Sequence, residues 1–222
     1  MNRAVLFDTE TTGLDPLAGD RLVEVAAIEL DGDLPTGRSF HRLINPERDV
    51  PEDAVRVHGI TVERLRDAPR FEEIADDLLE FLGDGALIAH NASFDFSFLD
   101  AEFTRIGRPA LDRGRMVDTL AIARERFPGL PNSLDALCRR FGIDLSERTT
   151  HNALLDCRLL AEVYVELTGG RQRALDLAAA SIARAALDYA GHKPRTPRLI
   201  EPDAEALAAH AAFIATLKNS LW

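Results

Sequence analysis

Arg3-Ala4-Val5-Leu6-Phe7-Asp8-Thr9-Glu10-Thr11-Thr12-Gly13 carries the pattern from which the rest of the chain is read. Residues 4–7 form an apolar run that reads as a buried strand over residues 3–9. Two carboxylates two residues apart on a strand point to the same face, so Asp8 and Glu10 stand side by side. Each raises the other's cost of ionisation, and a divalent cation between them removes that cost. A bare Asp-x-Glu reads more readily as a strand end before a polar turn. Asp95, His151 and Asp156, each in a distinctive setting, favour the chemical reading.

Strand patterns continue at residues 22–30 and 38–45, with Asp31-Gly32-Asp33 as a hairpin turn between them. These first three strands read as sequential and antiparallel. From there the pattern alternates. A short helical turn at 51–57 leads to His58-Gly59-Ile60, and apolar residues at 71, 74, 75, 78, 79 and 82 predict a helix over 71–82. Residues 86–90 and 116–118 read as short strands. Helices are predicted at about 93–106, 119–127, 133–141 and 152–167, with Asp118 as a helix N-cap. The fold class is therefore α/β: a mixed five-stranded sheet flanked by helices, with a C-terminal tail carrying a short helix. Three segments are expected: a domain over 1–170, a linker over 171–197 and a tail segment over 198–222.

The chain has 222 residues, 46% hydrophobic and 28% charged, ordinary proportions for a soluble globular protein. No apolar run approaches a membrane span and the first strand starts at once, so neither a membrane segment nor a leader is expected. Cys138 and Cys157 fall inside amphipathic helices at no metal-ligand spacing. They read as reduced core thiols of a cytoplasmic protein. The net charge of −11 repels a phosphate backbone and gains little from counterion release. A nucleic-acid substrate would have to be held by metal ions or delivered by a partner.

Asp95 lies among Phe94, Phe96 and Phe98 in the first turn of a helix. A carboxylate there also serves the helix dipole, but in apolar surroundings it needs a partner. His151 and Asp156 are five apart, about 140° around a helix, so His151 is placed in the loop before the helix, where its direction is free. Asp156 is expected at the edge of the buried stripe of residues 153, 157, 160 and 164. Four carboxylates and one histidine suit two Mg²⁺ or Mn²⁺ ions and an in-line phosphodiester displacement, with the histidine taking the proton of a water.

These blocks resemble the DEDDh 3′→5′ exonuclease superfamily, whose fold is ribonuclease-H-like. Asp8 and Glu10 match its first motif, Asp95 its second, and His151 with Asp156 its third. Val57-His58-Gly59-Ile60, Phe127-Pro128-Gly129, residues 132–138, residues 151–156, Ala161-Glu162-Val163-Tyr164 and Thr168-Gly169-Gly170 extend the likeness to the family of proofreading (epsilon) subunits of bacterial DNA polymerase III. The resemblance implies that Asp8 bridges two metals, Glu10 and Asp156 hold the nucleophile-side metal, Asp95 supports the other, and His151 is the general base. It also implies that Thr11, Thr12, Gly13 and Leu14 line the 3′-terminal nucleotide, with Leu14 against its base. Glu10 lies next to this group, His58 approaches the sugar (although a packing role in its tight turn is the competing reading), and Asp53 is an acidic contact nearby. The implied substrate is a single-stranded or frayed DNA 3′ end, freed most easily when the last pair is mismatched.

The tail of these subunits docks on the polymerase catalytic (alpha) subunit. Residues 198–222 resemble it, with Leu207, Ile214 and Trp222 among the implied contacts. Residues 172–177 resemble a sliding-clamp-binding motif through Gln172, Leu175 and Leu177, although Leu175, Ala179, Ile182 and Ala186 also make one face of a plain helix. About 30 residues of loose chain span roughly 30 Å root-mean-square, so tethering would keep an acidic nuclease concentrated near the primer end. A free-standing DNA- or RNA-trimming exonuclease and a non-catalytic polymerase–clamp adaptor are the competing readings.

Overall fold

In the computed structural model, which describes residues 3–146, 148, 150–169 and 202–216, the sheet has the order β3-β2-β1-β4-β5. The central strand is β1 (Arg3–Thr11). It pairs antiparallel with β2 (Leu22–Asp31), which pairs antiparallel with β3 (Leu34–Leu43). On its other side β1 runs parallel to β4 (Ala86–Ala89), and β4 parallel to β5 (Met116–Asp118). The mixed sheet expected from the sequence is thus present. Gly85 admits the chain into β4, because a Cβ there would lie 2.2 Å from the Arg3 carbonyl oxygen.

The alternation of β1 divides the core. Val5 and Phe7 face one side, where α3 (Phe71–Leu82) and α4 (Ala92–Arg105) pack. Ala4 and Leu6 face the other, covered by α5 (Thr119–Arg126), α6 (Leu134–Phe141) and α7 (Ala153–Leu167). Helix α3 has the predicted bounds and buries Phe71, Ile74, Ala75, Leu78 and Leu82 on one stripe. On α4, Phe96 meets Phe7 edge-on at 5.7 Å, and burying one such ring is worth about 1.5–3 kcal/mol. Two short helices, α1 (Glu52–His58) and α2 (Val62–Leu65), lie between β3 and α3.

Several strand ends differ from expectation: β2 and β4 by one residue, β3 at its end by two (Leu43 rather than residue 45), and two others by more instructive margins. β1 runs to Thr11 rather than residue 9, with a register irregularity between Glu10 and Thr11. Polar residues end an apolar pattern, yet antiparallel pairing with β2 carries the strand on. β3 begins at Leu34, earlier than residue 38, because its first half is an exposed edge with no apolar alternation to show it.

The parallel pairing of β1 with β4 stops at Leu6 and Ile88. Beyond that point Asp8 to Thr11 is paired on the β2 side only, and a crevice opens at the carboxyl ends of the strands. Ligand sites of open α/β sheets lie in such crevices.

The chain divides into two compact units, Met1–Leu177 and Ala178–Trp222. Within the second, the described element is α8 (Ala204–Thr216), with Leu207 and Phe213 more than half exposed. No helix among the described residues is long and apolar enough to cross a membrane. Cys138 and Cys157 are buried free thiols.

Candidate active site

Asp8 and Glu10 point to the α7 side of β1, in line with Ala4 and Leu6. Glu24 of β2 stands directly opposite Glu10 and is 1% exposed. Its carboxylate accepts hydrogen bonds from Asn152 Nδ2 and Ala153 N, both at 3.1 Å, and from His41 Nε2 at 2.6 Å. An orphan amide and the N-cap side chain of α7 are thus fastened to the sheet. The cap is completed within the helix by Asn152, whose Oδ1 accepts from Leu155 N at 3.0 Å. This anchorage sets His151 in the loop before α7 and Asp156 one turn inside it. Asp156 lies within the buried stripe, 3% exposed, rather than at its edge.

Asp95 arrives from the other side of the sheet. It sits in the first turn of α4, 3% exposed, and accepts a hydrogen bond from Thr9 Oγ1 at 2.7 Å. The alternation that aims Asp8 and Glu10 at α7 aims Thr9 at α4. The four carboxylates therefore gather around the end of β1 from both layers. Helix α4 starts from Asn91 in the left-handed conformation (φ 69°), and Asp118 Oδ1 accepts from both Asn91 N (3.0 Å) and Leu120 N (2.9 Å). Asp118 is the expected N-cap of α5 and ties the start of α4 to it.

One ligand atom each of Glu10, His151 and Asp156 lies within 4.8 Å of the others. Two carboxylate oxygens and an imidazole nitrogen at this spacing fit a hard divalent cation. Asp8 and Asp95 are outside this tight group but within its field. Burial, then the charges of Asp95, Glu10, Asp156 and Glu24, push Asp8 well above the usual carboxylate range. Burial first, then Asp156, Glu24 and Asp95, push Glu10 up to about 8. Burial raises Asp95 to about 7 against the pull of the Thr9 hydroxyl. Asp156 goes the other way: burial pushes it up, but the hydrogen bonds of Arg148 and His151 outweigh that and hold it low. Protein cations thus satisfy one carboxylate, and the remaining cluster is short of positive charge.

Two clefts meet at Asp8, His90 and His151. One, of about 640 Å³, is lined by Thr9 to Leu14, Asp53, His58, Phe94 and Asp95. All the substrate-contact residues expected from the resemblance border it, with different exposures. Leu14 is 84% exposed at its rim. Thr12 is buried, and its hydroxyl bonds Asp20 and the Arg21 amide. Gly13 lies close against Asp20: a Cβ there would stand 2.1 Å from Asp20 Oδ2, so a larger residue would have to push that carboxylate aside. His58 is buried, accepts from Ile60 N at 3.0 Å, and is held below its usual pKa by burial. Asp53 is exposed and paired with Arg56. The second cleft, of about 730 Å³, is lined by Asn132, Ser133, Asp135, Arg148 and Asp156 among others.

Sequence reasoning passed over Glu24, His90, Phe94 and Arg148. A lone charge in the apolar run Val23-Glu24-Val25 was the available signal for Glu24. Arg148, three residues before His151, carried none. Of the expected partner contacts, Leu207 and Ile214 lie on α8, whereas Gln172, Leu175, Leu177 and Trp222 lie outside the described residues.

The fold and this site define a nuclease of the ribonuclease-H-like exonuclease class. The family model described as Exonuclease matches residues 5–164. A DNA polymerase III subunit epsilon of Rickettsia felis is 48% identical over 221 residues, 97% of this chain and 96% of that protein. One of Haemophilus influenzae is 37% identical, with 100% and 94% covered. The nuclease domain of 3′hExo, a DEDDh family member, superposes with a TM-score of 0.65 at 17% identity, over 76% of this chain and 92% of that one, a likeness of fold. The chain belongs to the Exonuclease family and, within it, to the DNA polymerase III epsilon subunits.

Proposed function

We propose that this chain is the 3′→5′ proofreading exonuclease of a bacterial replicative DNA polymerase, hydrolysing the terminal phosphodiester with a histidine base and two divalent cations, Mg²⁺ or Mn²⁺. The observation that carries the reading is the approach of Glu10, His151 and Asp156 within 4.8 Å at a strand end also bearing Asp8, with Asp95 arriving from the opposite layer. Asp8, Glu10, Asp95 and Asp156 would hold the cations. When bound, these ions lower the pKa of a water and neutralise charge on the scissile phosphate.

The chain's own residues do the rest. Leu14 and His58, with Thr11, Thr12 and Gly13, receive the terminal nucleotide in a cleft that accommodates a free 3′ end. His151, half exposed at the meeting of the two clefts, takes the proton of the attacking water. The water oxygen bonds to phosphorus, the P–O3′ bond breaks, and a nucleoside 5′-monophosphate leaves while the shortened strand keeps its 3′ oxygen. The receiving groups are assigned to the sugar, the phosphate and the base face, so the preference for mismatches comes from fraying.

We also assign residues 1–170 to catalysis, 198–222 to the polymerase catalytic (alpha) subunit through Leu207, Ile214 and Trp222, and Gln172, Leu175 and Leu177 to a sliding clamp. The alignment with the Haemophilus influenzae subunit across the whole chain supports this. The protein would then act in the cytoplasm, at the primer end. The test is nucleotide release from paired and mismatched primers by wild type and Asp8→Ala. Faster release from the mismatch, lost in the variant, is expected; equal activity of both proteins overturns the reading.

A further inference from the structure

We propose that Arg148 is an internal counterion of Asp156 and His151 that must be displaced before a divalent cation can bind Asp156. The inference rests on the assignment of Asp156 as a metal ligand. The Arg148 side chain is 9% exposed. Its Nε donates to Asp156 Oδ1 at 2.6 Å and its Nη2 to Asp156 Oδ2 at 2.8 Å. This is the bidentate fork in which guanidinium and carboxylate match best. Nη2 also donates to His151 Nδ1 at 3.0 Å, and Nη1 donates to Asp135.

One guanidinium therefore engages both residues of the third motif. With both oxygens of Asp156 in the fork, a divalent cation at that carboxylate would stand against a positive charge already in place. The ring nitrogen of His151 that faces Arg148 also lies 3.4 Å from Asp156 Oδ2, so the guanidinium crowds the base as well as the carboxylate. Metal binding and base function thus require the same movement.

Asp135 provides the place to go. It sits in the first turn of α6, about a third exposed, on the wall of the second cleft, and already accepts from Nη1. A guanidinium driven from Asp156 by an incoming cation can keep this partner, so displacement leaves no charge unpaired. Arg148 is then a positioning residue: it acts through Asp156 and His151.

The test is calorimetric titration of the full chain with Mn²⁺, comparing wild type, Arg148→Gln, Arg148→Lys and Asp156→Asn, with melting temperatures measured in EDTA and in saturating Mn²⁺. Arg148→Gln should bind Mn²⁺ about tenfold or more tightly, the scale of a charge-assisted hydrogen bond. It should melt lower than wild type in EDTA and level with it in Mn²⁺. Arg148→Lys keeps a charge but loses the fork and should fall between, which keeps the test open if the glutamine variant folds poorly. Unchanged or weaker Mn²⁺ binding by both Arg148 variants, with binding lost in Asp156→Asn, overturns the counterion role alone. Wild-type affinity in Asp156→Asn overturns the assignment of Asp156 and the counterion role with it.

Discussion

Glu10 of β1 and Glu24 of β2 are directly opposed across the antiparallel ladder, both at least nine-tenths buried. Like charges so placed repel, and each has a separate task. Glu10 faces the proposed metals, whereas Glu24 binds the start of α7 through Asn152 and Ala153. Glu24→Gln keeps the shape and removes the charge. Activity should fall about 10- to 100-fold with the fold intact, the usual cost of losing a group that orients metal ligands. The removal of a like charge should also lower the pKa of Glu10. Steady-state kinetics and circular dichroism check this; wild-type kcat would show that the α7 anchor does not matter.

Stability should depend on pH in the unusual direction for carboxylates. Glu10 moves from an ordinary 4.5 to about 8 and Asp95 from 3.8 to about 7. Between those limits the folded protein binds more protons than the unfolded chain, so unfolding free energy decreases as pH rises. The metal-free protein should therefore melt at a lower temperature at pH 8 than at pH 5.5. Asp156 is held low and is ionised in both states across this window, so it does not alter the sign; His58 and His90, held low by burial, contribute in the opposite sense, but the three raised carboxyls Asp8, Glu10 and Asp95 outweigh them. Divalent cations compete with these protons, so Mn²⁺ should raise the melting temperature more at pH 8. Scanning calorimetry in EDTA and in Mn²⁺ measures both slopes, and a rising EDTA curve would contradict the electrostatics described.

The same residues mark how much was legible in the chain. Period-two alternation placed Asp8 and Glu10 on one face, and 3.6-residue periodicity gave α3 its bounds. That Asp95 would reach the cluster through Thr9, from the opposite face of the same strand, was not legible, because the pairing of β1 with β4 that opens the crevice joins strands far apart in the chain. Glu24 and Asn152 are 128 residues apart. Their hydrogen bond exists only once β2 and α7 are packed. The edge strand β3 starts before its pattern predicts because its exposed first half carries no apolar alternation.

His151 serves as a base in this account, not as an indispensable ligand. His151→Ala should lower kcat roughly 10²- to 10⁴-fold, the range for a positioned proton acceptor, while Mn²⁺ still binds. If Mn²⁺ affinity and kcat fall together in proportion, His151 is a ligand instead.

Leu14 is a large apolar side chain left 84% exposed at the rim of a cleft. It adds little to the core, so Leu14→Ala should leave the melting temperature unchanged. KM for a 3′ end should rise roughly tenfold, about the value of the apolar surface that leucine covers on a base and alanine does not. A destabilised variant with unchanged KM would place Leu14 in the fold rather than at the substrate.

The central claim is that the carboxyl end of β1 carries metal-dependent hydrolysis from a 3′ end. It is tested most directly by following a single-stranded oligodeoxynucleotide labelled in its 3′-terminal nucleotide, in Mn²⁺ and in EDTA, with wild type and Asp8→Ala. The account predicts that the label leaves first, as a nucleoside 5′-monophosphate, in Mn²⁺ only, and that Asp8→Ala does not release it. Release that begins at the 5′ end, persists in EDTA or survives in Asp8→Ala would contradict it.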